Sequence, residues 1–296
     1  MFSQKPGKLR LPSVNKCRPP AVVVIGVLLV VWTWHHFGFA QAVAENTASQ
    51  AGKRMTLTIQ GVEYPFRWCP AGTFMMGSPA SEPERESDEK QHQVTLTCGF
   101  WLLETAVTQA MWEDVMRGNP SAFRGKSFPV NCVSWEDCQA YIQKLNDLKL
   151  APSGYRFSLP TEAQWEYACR ADTTTPFHFG STLNGDKANC TGVFPYGTET
   201  KGQSLSRTTE VGSYPANVWG LRDMHGNVWE WCLDWKGDYP NGDVTDPTGS
   251  VTGSERVLRG GSWCSSAVAC RSAYRYYCVP SDMHFVNGLR LALVCE

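Results

Sequence analysis

The stretch from Leu159 to Ala168 reads Leu-Pro-Thr-Glu-Ala-Gln-Trp-Glu-Tyr-Ala and joins a helix start signal to a run of large side chains. Thr161 and Gln164 have the spacing of a capping box, in which each side chain accepts a hydrogen bond from the backbone N–H of the other. The sequence therefore predicts a short helix that begins directly after Thr161.

Two more helix start signals lie upstream of this stretch. Thr108 precedes a predicted helix from Gln109 to Met116, and Ser134 precedes a predicted helix from Trp135 to Asn146. The second helix would place Trp135, Cys138, Ile142 and Leu145 on one face, because residues three and four apart lie on the same side of a helix.

Strand patterns flank these helices on the N-terminal side. Residues 55–59 alternate apolar and polar side chains, residues 66–69 and 72–78 read as strand, turn and strand, and residues 94–96 resume a strand. After residue 172, Gly, Pro, Asn and Asp interrupt every segment, which is typical of irregular loops. The fold class predicted is α+β, with short helices on small antiparallel sheets and much irregular structure, in one domain over residues 55–296.

Residues 1–42 have the three parts of a signal peptide. Residues 1–20 carry five Lys or Arg and no acid, residues 21–31 are apolar, and Phe39 to Ala42 offers a small-x-small cleavage site. An uncleaved N-terminal anchor through residues 21–34 is the alternative. Either interpretation predicts an exported protein, periplasmic, secreted or at the cell surface, with residues 43–54 as a linker.

The charge balance argues against a nucleic-acid partner. The chain has 27 Lys and Arg against 28 Asp and Glu, and removal of the basic N-terminal segment would leave an acidic protein. Nucleic-acid binding needs a basic surface. The acid-rich stretch from Glu82 to Glu89 is interpreted as a solvated loop rather than a metal site.

Twelve cysteines, eleven of them after residue 42, make disulfides plausible in an exported protein. No Cys-x-x-Cys and no zinc-finger spacing occurs, which argues against structural zinc. Pairing of Cys232 with Cys270, or of Cys169 with Cys278, would brace the C-terminal region. The sequence alone does not decide the connectivity, and an odd number leaves at least one thiol free or paired between chains.

Seven motifs occur in one order along residues 66–293. They are Pro70–Ser78, Val107–Gln109, Pro129–Trp135, Leu159–Ala168, Trp219–Trp231, Arg256–Trp263 and Gly288–Leu291. Together they resemble the formylglycine-generating-enzyme family, also called the sulfatase-modifying-factor domain. The resemblance implies a compact α+β fold related to C-type lectins.

The turn from Asp223 to Glu230 is a candidate calcium site. Asp223 and Glu230 offer carboxylates, and Gly226 and Val228 offer carbonyls, in a segment that the resembling family uses for calcium. A turn whose acids only bond backbone N–H groups is the alternative. The family's second calcium site would begin at Asn189 and Cys190, but Lys201-Gly202 stands where its downstream Asp is expected. His225, in the same turn, is interpreted as structural.

The resemblance implies a candidate oxidase chemistry. Enzymes of this family bind Cu⁺ through a Cys-x4-Cys pair that follows a Gly-Gly-Ser-aromatic motif. Here Cys264 and Cys270 follow Gly260-Gly261-Ser262-Trp263 with five residues between them, and the loop after Trp263 is about three residues short. We therefore expect the fold to carry over without the copper chemistry. If the chain is an oxidase, Cys264 and Cys270 are the catalytic residues and Cu⁺ the cofactor.

Residues 264–287 mix small, aromatic and Cys side chains with no helix or strand period. Mixtures of Tyr and Ser are typical of antibody-type binding loops, and the segment resembles the variable regions of diversity-generating retroelement proteins, which use the same lectin-like fold. An ordinary surface loop is the alternative. The candidate ligand contacts are Cys264, Ser265, Ser266, Val268, Ala269, Tyr274, Tyr276, Tyr277, Val279, Ser281, His284, Phe285 and Val286.

These features of the sequence are consistent with three functions. The leading hypothesis is an exported, non-catalytic protein that binds a protein or glycan ligand through residues 264–287 on a calcium-supported scaffold. The second is a copper-dependent formylglycine-generating oxidase that acts on sulfatase cysteines. The third is a structural envelope protein that uses the fold as a spacer.

Overall fold

A computed structural model describes residues 51–296 of the chain. The predicted signal peptide or anchor over residues 1–42 and most of the predicted linker lie outside the described residues. Within residues 51–296, none of the helices has the length and apolar character that a membrane crossing requires.

Three α-helices, twelve strands and one 3₁₀ turn form the described domain. The helices are α1 (Gln109–Met116), α2 (Trp135–Asp147) and α3 (Glu162–Arg170), and the 3₁₀ turn is Ala267–Cys270. The strands are β1 (Arg54–Ile59), β2 (Val62–Cys69), β3 (Gly72–Met76), β4 (His92–Leu96), β5 (Phe100–Leu103), β6 (Tyr155–Ser158), β7 (Trp229–Trp235), β8 (Val244–Thr245), β9 (Arg256–Arg259), β10 (Tyr276–Cys278), β11 (Asn287–Leu289) and β12 (Ala292–Cys295).

The three predicted helices begin where their capping signals place them. Thr161 accepts the Gln164 backbone N–H at 3.1 Å, and Gln164 returns the bond to the Thr161 N–H at 2.9 Å. Ser134 and Asp137 form the same reciprocal pair at the start of α2. Each pair satisfies two backbone donors that a helix end otherwise leaves open.

Three small sheets hold the strands, in the orders β1-β2-β5-β12-β6, β10-β9-β7-β11 and β3-β4-β8. The C-terminal strand β12 inserts between β5 and β6, and so lies in the same sheet as the first hairpin, β1 and β2. The α+β class is confirmed. From the end of α3 to the start of β7 the described chain has only turns and isolated bridges, which confirms the prediction of irregular loops.

The domain begins slightly earlier than predicted. Strand β1 starts at Arg54, and the Gly52 N–H already donates to the Trp68 carbonyl at 2.9 Å. Residues 52–54, assigned to the linker from their composition, therefore belong to the first hairpin.

The proposed disulfide pairings are wrong in this structure. Cys98 is bonded to Cys295, which ties the segment before β5 to β12, whereas Cys169, Cys232, Cys270 and Cys278 are free thiols. Buried ion pairs, rather than these disulfides, hold the C-terminal loop.

The acid-rich stretch from Glu82 to Glu89 is not simply a solvated loop. Glu89 is fully buried and Glu82 nearly so, and both accept hydrogen bonds from Arg271 at 2.6–2.8 Å. The intervening residues 83–88 remain exposed or half-buried. A buried carboxylate needs such a partner because its desolvation is otherwise costly.

Candidate functional site

The turn before β7 packs tightly against the segment that carries Asn189. A side chain at Gly226 would place its Cβ 2.4 Å from the Asn189 carbonyl oxygen, and the φ angle of Gly226 is +132°. Only glycine fits this position. The Asn227 N–H donates to the same carbonyl at 2.9 Å and fixes the contact.

Glu230 is committed to protein partners. Its two oxygens accept from Arg290 Nε and Nη2 at 2.8–3.1 Å and from Trp165 Nε1 at 2.7 Å, and all three side chains are buried. Four hydrogen bonds use the roughly four acceptor sites of a carboxylate. The carboxylate of Glu230 therefore does not fit the predicted role of a calcium ligand in this arrangement.

Asp223 keeps one oxygen available. The Gly212 N–H donates to its Oδ2 at 2.6 Å, while its buried Oδ1 has no hydrogen-bond partner. Burial raises the pKa of Asp223 to about 6. Asn189 Oδ1 is also buried without a partner, and both residues line a cavity of about 10 Å³, close to the size of one water molecule.

His225 has the structural role predicted for it. Its Nδ1–H donates to the Cys270 carbonyl at 2.7 Å, and its Nε2 accepts the His178 backbone N–H at 3.1 Å. Burial lowers its pKa, so the ring is neutral. Cys169 Sγ lies 3.6 Å from Nε2, but burial raises the pKa of that thiol to about 12. A buried, neutral thiol and imidazole do not make an activated nucleophile.

Cys264 and Cys270 differ in their surroundings. Cys264 is exposed, with its Sγ 3.6 Å from Ser262 Oγ. Cys270 is fully buried at the end of the 3₁₀ turn, where its thiol is hydrogen-bonded to that of Cys190. The cysteine that interacts most strongly with the Cys270 sulfur is therefore Cys190, which lies outside the C-terminal loop.

Three buried arginines hold the loop from below. Arg271 donates to Glu82 and Glu89, Arg275 donates to both oxygens of Glu162 at 2.7 and 2.8 Å, and Arg259 is paired with Glu166 and donates to the Ser272 carbonyl at 2.9 Å. These pairs connect the loop to α3 and to the acid-rich stretch. These contacts hold the backbone of the loop in place and leave the other side chains of the loop outside the ion pairs.

We call the exposed side chains of residues 264–287 the C-terminal face. Most predicted contacts are accessible. Those exposed are Cys264, Tyr276, Tyr277, Val279, Ser281, His284 and Phe285, and those half-buried are Ser265, Ser266, Val268, Ala269 and Tyr274.

Val286 is a correction to the predicted ligand contacts. It is only 6% exposed and packs in the main hydrophobic core, and its carbonyl accepts the Trp229 N–H at 2.8 Å. A side chain in that position cannot reach a ligand at the surface.

The sequence profile of the family described as "Sulfatase-modifying factor enzyme 1-like domain" matches residues 65–294. The chain belongs to this family. The match begins within β2 and ends within β12, so it includes every element that positions the turn, the buried arginines and the C-terminal face.

Two curated relatives are members with a named activity. The formylglycine-generating enzyme of Mus musculus is 33% identical over 193 residues, which are 63% of this chain and 47% of that protein. The formylglycine-generating enzyme of Streptomyces coelicolor is 41% identical over 174 residues, 55% of this chain and 52% of that protein. The chain spans about half the length of the curated relatives it matches.

Two solved structures share the sulfatase-modifying-factor fold over most of their length. Treponema denticola variable protein 1 is 30% identical with a TM-score of 0.71, and the match covers 82% of this chain and 98% of that one. PvdO from Pseudomonas aeruginosa is 26% identical with a TM-score of 0.69, and covers 83% of this chain and 99% of that one.

Three residues of the C-terminal face and of its support were not predicted from the sequence. Met283 is 61% exposed within the C-terminal face, and Trp263 packs on Phe285 with ring centroids 5.7 Å apart. The buried Trp229 stacks on Tyr276 at 5.0 Å. Trp263 and Trp229 belong to the family motifs, and that membership is the only signal for them in the sequence.

A second concave region also escaped sequence reasoning. A cavity of about 480 Å³ is lined by residues that include His92, Asp234 and Tyr239. Asp234 Oδ2 accepts the Glu162 N–H at 2.8 Å, and burial raises its pKa to about 8. Asp234 thus contributes to the start of α3, and its position in the motif after Trp231 gave no hint of this.

Proposed function

We propose that this chain is a non-catalytic member of the sulfatase-modifying-factor family that binds a protein ligand through its C-terminal face. The observation that carries the proposal is a group of five large apolar side chains on that face, each more than two-fifths exposed. They are Tyr276, Tyr277, Val279, Met283 and Phe285.

Such a group is costly to leave in water unless it serves an interaction. Tyr and Phe supply much contact area while losing little rotamer entropy on binding. Between residues 276 and 286, Asp282 is the only charged residue, and it accepts a hydrogen bond from Asn287 Nδ2 at 3.1 Å. A face poor in charge and rich in apolar surface, aromatic and aliphatic, favours a protein ligand over a glycan or a polyanion.

The support beneath the face favours binding as well. Arg271 and Arg275 are buried in ion pairs at either side of Tyr274, so the backbone is ordered before a ligand arrives. A preordered surface loses less conformational entropy on association. The similarity to Treponema denticola variable protein 1 supports the same interpretation, because that protein is named as variable and binding surfaces are often the variable part of a protein.

The test compares three forms of the chain on a panel of purified cell-surface proteins and on a glycan array. The face variant is Tyr277→Ser with Phe285→Ser. The matched control is Leu150→Ser with Val218→Ser, because these apolar side chains are 44% and 77% exposed outside the C-terminal face.

We expect the wild type and the control to bind the same protein ligand, and the face variant to lose at least tenfold in affinity, about 1.4 kcal/mol. Equal binding by the face variant would place the ligand site elsewhere. Binding only to glycans would overturn the choice of ligand class.

The second candidate is a copper-dependent formylglycine-generating oxidase, and the identity to the mouse and Streptomyces coelicolor enzymes favours it. Two close thiolates suit Cu⁺. Cys264 is exposed, whereas Cys270 is fully buried and its pKa is raised well above its usual value, first by the Cys190 side chain and then by burial, so the thiolate that Cu⁺ prefers is disfavoured at Cys270. We therefore rank the oxidase second.

We also propose a calcium site at the turn before β7, but on two side-chain oxygens rather than on the four ligands that the sequence predicted. Asp223 Oδ1 and Asn189 Oδ1 are buried, unpaired oxygens at one small cavity, which suits an oxygen-seeking cation. Glu230 would take part only if Arg290 released it.

A further inference from the structure

Cys190 and Cys270 meet in the interior of the domain. Their side chains are hydrogen-bonded to each other, and both are almost fully buried, at 1% and 0% exposure. They belong to a small hydrophobic cluster with Phe177, Leu183 and Tyr196, apart from the two larger cores.

Backbone hydrogen bonds join the segments that carry the two cysteines. The Thr191 N–H donates to the Ser265 carbonyl at 2.8 Å, and the Ala267 N–H donates to the Phe194 carbonyl at 3.1 Å. These bonds place the chain that follows Cys190 against residues 265–267, where the 3₁₀ turn that ends at Cys270 begins.

Gly261 makes room for the Cys270 sulfur. A Cβ built at Gly261 would lie 2.4 Å from Cys270 Sγ, and the φ angle of Gly261 is +77°. The position of this sulfur thus depends on a glycine in the left-handed region next to it.

We propose that Cys190 and Cys270 form a second intramolecular disulfide, which closes in an oxidising compartment and ties the 3₁₀ turn of the C-terminal face to the Asn189 segment. The oxidant is a low-molecular-weight disulfide. The thiolate of one cysteine attacks it and releases one small thiol, and the other cysteine then displaces the second small thiol as the protein S–S bond forms. The two cysteine protons end on the two released thiols. The pair is separate from Cys264 and from the proposed ligand, so it stands whether or not the face binds a protein.

The test equilibrates the purified full chain in oxidised glutathione and, in parallel, in dithiothreitol. Free thiols are then alkylated under denaturing conditions, and digested peptides are analysed by mass spectrometry. The Cys98–Cys295 bond serves as the internal positive control for oxidation.

We expect the oxidised sample to contain a cross-linked peptide of Cys190 and Cys270, two hydrogens lighter than the sum of its parts, and the reduced sample to lack it. The Cys270→Ser variant should lack the cross-link and show Cys190 either alkylated or as a mixed disulfide with glutathione, whereas Cys138→Ser, which changes a buried cysteine of another cluster, should leave the cross-link intact. The wild-type measurement needs no variant to fold. Complete alkylation of both cysteines in an oxidised sample that retains the Cys98–Cys295 cross-link would overturn the proposal.

Discussion

Arg271 is the side chain whose removal should disturb the C-terminal face most. Its guanidinium is fully buried and donates to Glu82 at 2.7 Å, to Glu89 at 2.6 and 2.8 Å, and to the Glu84 carbonyl at 3.1 Å. Arg271→Met keeps most of the volume but leaves two carboxylates without their cation. Breaking one side of a buried ion pair costs about 3–5 kcal/mol.

The structure places this variant toward the lower end of that range. Ser78 Oγ still donates to Glu89 Oε2 at 2.7 Å after the change, and Glu82 is 7% exposed, so water can reach it with a small movement. We therefore expect a loss of about 3–4 kcal/mol in the free energy of unfolding, which lowers Tm by roughly 6–16 °C for a domain of this size.

Urea titration and thermal scans followed by circular dichroism measure this loss. The control is Arg54→Met, whose side chain is 51% exposed and pairs with Glu104, and its cost should stay within about 0.5 kcal/mol. Adding Glu89→Gln to Arg271→Met should recover about 1 kcal/mol or more, because the two residues are in direct contact. A loss below about 1 kcal/mol for Arg271→Met would refute the claim that this ion pair anchors the face.

Three further predictions follow from the site. Burial raises the pKa of Asp234 to about 8 in the folded protein, compared with about 4 in the unfolded chain. The protonated carboxyl therefore contributes its full stability below about pH 4, and this contribution is lost as the pH rises to about 8. The Asp234→Asn variant should show a smaller decline in the free energy of unfolding when urea titrations are compared between about pH 5 and pH 8. Calcium should raise Tm, by an amount that corresponds to about 2.7 kcal/mol at a concentration 100 times Kd, and Asp223→Ala should abolish the increase; an equal increase in the variant would exclude this turn. Cys98→Ser should cost about 2–5 kcal/mol in non-reducing unfolding experiments, and a wild type equally stable after reduction would contradict a structural role for that disulfide.

Local signals in the sequence were sufficient for the helices. A capping box such as Thr161 with Gln164 acts within four residues, so its effect does not depend on the rest of the chain. The family motifs then fixed the fold class, because they occur in order over most of the domain.

Partners that are distant in sequence were not predictable. Glu89 reads as part of a charged surface run until Arg271, 182 positions later, buries it. The Cys98–Cys295 bond spans 197 positions, and nothing in the local sequence selects that pairing. Glu230 pairs with Arg290, 60 positions later, and no local signal in the sequence indicates that contact.

The C-terminal face was predicted in part. Its residues lack a strand or helix period, and composition alone suggested which could contact a ligand. Tyr276 and Tyr277 are adjacent in the edge strand β10 and are both exposed, although successive side chains of a strand point to opposite faces, so neither face of β10 is fully covered. Val286 has the same side chain as Val279, but its backbone carbonyl accepts a hydrogen bond from the Trp229 N–H and its side chain packs in the core.

The most direct measurement of the central claim asks whether the chain oxidises a substrate cysteine. The full chain is incubated with a cysteine-containing sulfatase peptide, Cu⁺ and O₂, and peptide aldehyde is quantified by mass spectrometry beside an active formylglycine-generating enzyme. Because Cys264 is exposed and Cys270 is buried against Cys190, we expect no aldehyde above background. Multiple-turnover conversion that disappears in Cys264→Ser and in Cys270→Ser would contradict a binding protein and establish the oxidase.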